Sequence, residues 1–360
     1  MDFTLGEELE EVRGLARQIF TDHATQERIR AAETSERRFD TALWTELASA
    51  GLLGVALPEE QGGAGLGIGA LAVLLEEQGR FVAPVPVWPA VVAALTLAEH
   101  GTRDDLVTAV AEGTGRLTLA LEEFGPHDPA EPRCTAAGDG DGWRLTGTKA
   151  VVPTAFGTSH VLVSAATPDG PGLFLMETGA EGASWERAET TSHDAAGNLT
   201  LDGAPAEPLG DGALATALRL TRVAVTAVQI GVAEGAMRLA ADYLGEREQF
   251  GRPLGTFQAV QHQLADSFIE IEAIRVSLWH AVSLIAAGEP ADAAVLVAKW
   301  WADEAGLNVV HRTQHLHGGV GVDVDYPVHR YFLWGKQNAG VLGGASADLD
   351  RLGALLQEAS

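Results

Sequence analysis

Up to about residue 112 the apolar positions return at steps of three and four, which puts them on one face of successive helices. Leu5, Leu9, Val12 and Leu15 mark the first of these, over residues 3–20, and Leu43, Trp44 and Leu47 mark another over residues 40–50. Residues 68–79, 89–100 and 103–112 read as further helices with Gly and Pro between them. Residues 57–67 (LPEEQGGAGLG) read as a structural loop, because they lack the Lys-Ser/Thr of a P-loop and the strand–GxGxxG–helix setting of a dinucleotide fold. From Arg116 the pattern changes to short apolar runs at 117–121, 143–146, 161–164, 173–176 and 199–201, separated by turn signals at 138–142 and 168–171. These predict strands.

From Asp211 the helical period returns. Residues 221–255 predict one long helix ending in an Arg-Glu-Gln-Phe-Gly corner, where Gly251 and Pro253 supply the stop. Ala227, Gly231 and Gly235 fall on one face of it, which lets another backbone approach closely. Arg247 and Phe250, three apart, can present a guanidinium and a ring on the same side, a pair suited to a ligand with a phosphate and a flat ring. Val260, Leu264, Phe268, Ile271, Ile274, Leu278, Val282 and Ile285 form the stripe of a second helix closed by Gly288 and Pro290. A third covers 292–316 and a fourth begins near Pro327. The chain therefore divides into a helical region (1–115), a β-barrel or β-sandwich region (116–210) and a four-helix bundle (211–360), an α+β multidomain fold.

Composition adds mainly exclusions. A hydrophobic share of 46% suits a large globular chain, and no uninterrupted apolar run approaches the ~20 residues of a membrane span. The acidic start MDFTLGEELEEVR does not read as a signal peptide, and the lone Cys134 leaves no disulfide framework, so a cytoplasmic setting is expected. A net charge of −26 argues against nucleic acid and anionic membranes. Local cations still govern an anionic small molecule, because salt screens the rest beyond about 8–10 Å.

Three blocks of sequence carry a resemblance. They are Tyr243-x-x-x-Arg247-x-Gln249-Phe250-Gly251-x-Pro253, the stretch 51–65 (GLLGVALPEEQGGAG), and His317-Gly318-Gly319-x-Gly321 with Asp325-Tyr326-Pro327 and Arg330. In this order and spacing the chain resembles the FAD-dependent acyl-CoA dehydrogenases. The resemblance implies that Arg247, Gln249, Phe250, Gln314, His315, Gly318 and Gly319 hold the adenosine and pyrophosphate of a neighbouring subunit's FAD, and that Arg222 meets substrate. It also implies a catalytic Glu at one of two places. Those places hold Thr221 and Gly343 (Leu342 with one residue of slippage), and neither Thr nor Gly can take an α-proton. The segments that border the flavin ring depart too. One reads Glu122-Glu123-Phe124-Gly125-Pro126-His127-Asp128-Pro129, and the other reads Thr148-Lys149-Ala150-Val151-Val152-Pro153-Thr154, where Pro153 removes a backbone donor.

The chain thus resembles the small, base-lacking subunit of heteromeric α2β2 bacterial acyl-CoA dehydrogenases acting on sterol side chains. That implies a larger acyl-CoA dehydrogenase subunit carrying the Glu, an acyl-CoA substrate, and an electron-transfer flavoprotein as electron acceptor. Three other readings stand beside it: a homotetrameric flavoenzyme using Glu122 or Glu123 as base, a non-redox acyl-CoA-binding scaffold, and a relative of the flavin monooxygenases. Two solvated Glu on a polar loop are the plainer account of Glu122 and Glu123. His311, His315 and His317 have no Cys or placed carboxylate to complete a metal site, so no metal is expected. Trp300 and Trp301, being adjacent, cannot share one helix face, and packing at a helix or subunit contact is expected of them.

Overall fold

The computed structural model describes residues 5–140 and 142–358. Helices α1 (Glu7–His23), α2 (Gln26–Thr34), α3 (Thr41–Ser49), α4 (Gly67–Arg80), α5 (Val87–His100) and α6 (Asp104–Ala111) come first. Strands β1 (Leu117–Ala120), β2 (Thr135–Asp139), β3 (Gly142–Val152), β4 (His160–Thr167), β5 (Gly170–Glu177), β6 (Ala183–Arg187) and β7 (Gly197–Pro208) follow. Then come α7 (Ala213–Glu246), a small hairpin of β8 (Glu248–Gln249) and β9 (Arg252–Pro253), α8 (Gln258–Ala286), α9 (Asp292–Leu316), α10 (Val328–Gly340) and α11 (Gly344–Glu358). The expected helical, β and helical regions are all present.

The pattern misplaced some details. Phe3 lies outside the described residues, and Leu15 is 41% exposed, because α1 buries Val12, Ala16, Ile19 and Phe20 instead. Polar α2 buries only Ile29 and Ala32, too few apolar positions to show a period. β2 is rich in Ala and Gly, and β6 (ASWER) is largely solvated, so neither reads as a strand. α7 begins at Ala213, so Thr221 sits well inside it rather than at its start. In α8 the stripe holds at Ile271, Ile274, Leu278 and Val282, whereas Phe268 is 55% exposed. The fourth bundle helix is divided: Leu342, Gly343 and Gly344 take φ of 60°, 100° and 75° and separate α10 from α11. By length and composition α7 also qualifies as a membrane span, which the search for an uninterrupted run missed, but 78% of its apolar window is buried inside the protein.

The chain forms two compact units, residues 27–71 with 84–222, and residues 1–26 with 72–83 and 223–360. In the first, the strands close into a barrel. β2 pairs with β3, β3 with β7, β7 with β5 and β5 with β4, all antiparallel, and β4 returns to β2 at Thr135↔Ala166. β1 extends the same edge of β4 in parallel, and β6 shares an edge of β7 with β5. Alternation along each strand sends Leu145, Val161, Val163, Phe174, Leu199 and Leu201 into the barrel core.

In the second unit α4 and α7 cross backbone to backbone. A Cβ built at Gly231 would lie 1.9 Å from the Glu76 carbonyl oxygen, and one at Gly235 would lie 2.4 Å from that of Arg80. That is what the small-residue face of α7 is for. Partly buried ion pairs surround the crossing: the exposed Arg17 grips the buried Glu77 at 2.7 Å, Arg80 pairs with Glu77 and Glu234, and Arg275 pairs with Glu234 at 2.9 Å and with Glu76. Each carboxylate there faces an arginine, which offsets the cost of removing it from water.

Candidate functional site

At its C-terminal end α7 stops at Glu246, and the chain turns into the β8–β9 hairpin instead of continuing as helix. Arg247 and Phe250 therefore do not share a helix face. Arg247 opens the hairpin, its N–H donating to the Tyr243 carbonyl at 2.8 Å and its carbonyl accepting from Leu254 N–H at 2.8 Å. Phe250 is at the turn with φ 56°, a conformation that only the left-handed turn before Gly251 calls for. Its ring is 91% exposed and touches Phe257 edge to face at 6.1 Å. Among the described residues the Arg247 guanidinium makes no ion pair or hydrogen bond, although Glu246 and Glu248 flank it in sequence. Gln249 is exposed and donates its amide to the Glu248 carbonyl at 2.8 Å.

The Gly turn lies at the end of α9. Gly318 has φ +62°, and a Cβ on Gly318 or Gly319 would meet nothing within 4 Å, so their backbone looks into open space. Backbone of this kind suits close approach by a phosphate. Gln314 differs from its expected part, since its amide donates to the Gly321 carbonyl at 2.9 Å and braces the turn from within. Gly321 is glycine for a steric reason: a Cβ there would lie 2.5 Å from the Gln314 carbonyl oxygen. His315 is exposed.

Hairpin and turn are brought to one end of the bundle by residues whose part the pattern left undefined. Tyr243 stacks on His317 (4.9 Å between centroids, 23° between planes), and Tyr326 meets Tyr243 at 6.2 Å and His317 at 5.3 Å. His317 is buried and Nδ1–H donates to the Thr313 carbonyl at 2.7 Å, while burial lowers its pKa and keeps it neutral. All three stand in the sequence blocks that carry the family resemblance, Tyr243 one turn before Arg247 and His317 next to Gly318, but nothing local encodes their packing on one another. Among the described residues no cluster of His, Cys, Asp or Glu suits a metal ion, and His311 instead packs edge-on against Phe332 at 4.7 Å. Trp300 and Trp301, both half-buried, also touch one another, T-shaped at 5.1 Å.

The two base positions hold no carboxylate and have no room for one. Thr221 is 1% exposed, with its hydroxyl unpartnered among the described residues, and Arg222 beside it is half-buried. Gly343 has φ +100°, and a Cβ there would stand 3.0 Å from that of Ala347. The loop is pinned from α11, where Arg351 donates to the Leu342 carbonyl at 2.7 Å and to Asp348 at 3.3 Å. Behind it the fully buried Lys299 binds Asp303 at 2.5 Å. Burial and the neighbouring Asp348 push the Asp303 carboxyl up to about 8 against the pull of Lys299.

The segments beside the family's flavin ring are likewise engaged internally. Glu123 is not a solvated loop residue. Its carboxylate accepts from Lys149 Nζ at 2.7 Å, from Cys134 N–H at 2.9 Å and from Arg133 N–H at 3.0 Å. Burial opposes ionisation of Glu123, but the Lys149 and Cys134 bonds outweigh it and hold the carboxyl below its usual range, so it is a poor base. Lys149 is fully buried and also donates to Ser164 Oγ at 2.8 Å. Cys134 is no nucleophile, since burial raises its thiol to about 11. The Glu122 carbonyl accepts from Ala150 N–H at 2.9 Å, and Val151 N–H donates to Asn198 Oδ1 at 3.0 Å. Val151 and Thr154, both β-branched, hold φ of 48° and 45° around Pro153. A flavin ring would find few backbone donors here, and the residues present do not fit it.

Comparison with known proteins identifies the lineage. The acyl-CoA dehydrogenase N-terminal domain matches residues 6–105, and the acyl-CoA dehydrogenase C-terminal domain matches residues 210–347. Acyl-CoA dehydrogenase FadE27 of Mycobacterium tuberculosis is 38% identical, with 99% of each chain covered. The chain belongs to the acyl-CoA dehydrogenase family. Among solved structures, a Tcur3481-Tcur3483 steroid ACAD variant superposes with TM-score 0.97 at 69% identity, covering 99% of each chain. The ChsE4-ChsE5 complex from Mycobacterium tuberculosis superposes at 0.94 with 38% identity and the same coverage. Butyryl-CoA dehydrogenase from Megasphaera elsdenii, 24% identical at TM-score 0.89, shares the fold. The family resemblance read from the three sequence blocks is borne out, and one of the structures the chain resembles is that of the ChsE4-ChsE5 complex.

Proposed function

We propose that this acyl-CoA dehydrogenase chain is one subunit of a heteromeric enzyme and supplies the adenosine half of a FAD site whose ring pocket and catalytic Glu belong to a larger partner subunit. The observation that carries the reading is Arg247, a guanidinium held at the mouth of a hairpin with no partner among the described residues and two glutamates beside it in sequence. An arginine left so is suited to a diphosphate. Phe250 offers an exposed face to adenine, Gly318 and Gly319 offer backbone amides to phosphate, and Gln249, Gln314 and His315 border them. Bound flavin would supply the hydride acceptor for α,β-dehydrogenation of an acyl-CoA, with electrons leaving to an electron-transfer flavoprotein. This chain's own residues bind and orient. Arg222 borders the acyl-CoA.

A steroid side chain is the proposed acyl group, supported by the steroid ACAD named among the relatives. A homotetramer using Glu123 as base is disfavoured, because that carboxylate is bound by Lys149 and two backbone amides. The test is flavin content of the co-purified hetero-oligomer. Arg247→Ala should weaken FAD retention about ten- to a hundredfold, the value of a charge-assisted contact. Unchanged occupancy would remove the shared-site reading.

A further inference from the structure

We infer that the three rings of Tyr243, His317 and Tyr326 form a clasp that positions the two arms of the proposed half-site, the α7 hairpin and the Gly318–Gly319 turn, at a fixed separation. The inference rests on the half-site reading above and names residues that set its geometry without touching the ligand. Among the described residues no hydrogen bond or ion pair joins residues 247–253 to residues 318–322. Ring packing therefore joins the two arms, beside the contact of His317 with the α7 backbone at Leu239.

Each ring is rigidly coupled to what it carries. The Tyr243 carbonyl accepts from Arg247 N–H, so ring and guanidinium leave consecutive turns of one backbone. His317 is bonded directly to Gly318 and is anchored from behind by Thr313. Tyr326 closes on both other rings, and its own backbone is tied on each side, its N–H donating to the Asp323 carbonyl at 3.1 Å and its carbonyl accepting from His329 Nδ1–H at 2.6 Å. Stacked and tilted rings tolerate little sliding, because offset and edge-on arrangements are the favoured ones. A diphosphate must meet Arg247 and the glycine amides together, so a loosened clasp should cost ligand affinity without removing any ligand contact.

The experiment compares Tyr326→Ala and His317→Ala with the ring-keeping Tyr243→Phe and His317→Phe, using two readouts. In the hetero-oligomer, FAD retention should fall at least about fivefold in the alanine variants, each of which removes two of the three ring pairs, and should stay near wild type when the ring is kept. In the isolated chain, hydrogen exchange of the amides at 248–253 should quicken in Tyr326→Ala, although that residue lies in another segment. Hairpin exchange left unchanged by Tyr326→Ala overturns the clasp. So does wild-type FAD affinity in both alanine variants while Arg247→Ala loses flavin, an outcome that leaves the half-site reading standing. Flavin affinity unchanged in Arg247→Ala instead removes the half-site reading, and quickened exchange would then reduce the clasp to a structural link.

Discussion

The end of α7 and the end of β3 are both places where the family resemblance implies contact with a flavin, and in this chain they are in opposite states. At the end of α7, Arg247 has no partner among the described residues, Phe250 is 91% exposed and two glycines face open space. At the end of β3, Val151 N–H is taken by Asn198, Glu123 is taken by Lys149, and Pro153 has no N–H to offer. One region keeps Arg247 and Phe250 unengaged, and the other takes up Glu123 and the Val151 N–H internally while leaving Thr154 Oγ1 and His127 Nε2 buried without a hydrogen bond among the described residues. A protein folded without a ligand at a polar wall must pair that wall's donors internally, because buried unpaired groups cost about 1–3 kcal/mol each. The difference shows which end of the chain presents polar and aromatic groups outward, and it is the end on which the proposed half-site rests.

The largest effect that would break this contrast is catalysis by the chain alone. Dye-reduction assays with several acyl-CoAs should show turnover lower by on the order of 10²–10⁴ or more than an enzyme with a positioned base. Rates at ordinary family levels would show that the engaged region is a working site. Replacing Gly343 by Glu should not restore activity, since φ of +100° strains any side chain there. Thr221→Glu would bury a carboxylate at a position 1% exposed and should destabilise the fold instead.

Next comes the buried pair that closes the neck of the loop after β1. Lys149→Ala leaves the Glu123 carboxylate in a site only 5% exposed and should cost about 3–5 kcal/mol in denaturant unfolding. Lys149→Met with Glu123→Gln should recover much of it, because no buried charge is then left alone. The sign of the acid dependence follows from the depressed Glu123 pKa. The stability it contributes is present above the ordinary carboxylate range and is lost as pH falls through the lower folded value. A loss below about 1 kcal/mol in Lys149→Ala would mean that the wall is open to solvent and the contrast is false.

How much of this was legible in the sequence depends on what kind of order each residue obeys. The α–β–α succession and the core stripe of α8 follow from apolar period, so they could be read directly. β6 and α2 could not, because each is mostly solvated and leaves no period to detect. Gly231 and Gly235 were legible as a close-approach face, but the partner backbone of α4 was not, since nothing local encodes it. At the site, Arg247 and Phe250 stood out by type. Their geometry was misjudged because a helical spacing was extended past Glu246, where the left-handed turn at Phe250 replaces it. Glu123 was misread for the opposite reason. A polar loop looks solvated until its buried lysine, twenty-six positions away, is known.

A smaller effect should appear in pH. Asp303, beside Lys299 and Asp348, has its carboxyl raised to about 8 from an ordinary 3.8. The folded state therefore prefers the protonated acid. The stability this group contributes is full below about 4 and is lost as pH rises towards 8. Thermal unfolding between pH 5 and 9 should show a downward slope worth a few °C that Asp303→Asn flattens. A slope unchanged in that variant would place the titration elsewhere and leave the pinned Leu342 loop without this support.

The smallest predicted effect separates the two regions most cleanly. Arg247→Ala and Phe250→Ala should leave the melting temperature of the isolated chain within about 1–2 °C of wild type, because substitutions away from buried features stay within about ±0.5 kcal/mol. The groups lost are a guanidinium with no partner among the described residues and a ring whose contact within the chain is the edge of Phe257. Phe250→Ala relieves no backbone strain that would mask a loss, since a φ of 56° suits Ala no better than Phe. Differential scanning calorimetry on the two variants next to Lys149→Ala is enough. Losses comparable to that of Lys149→Ala would mean that the hairpin groups hold the chain's own fold together, and the two ends would then be alike. A flat response at the hairpin, with a large one at Lys149, is what a chain built to present half of a site to another molecule requires.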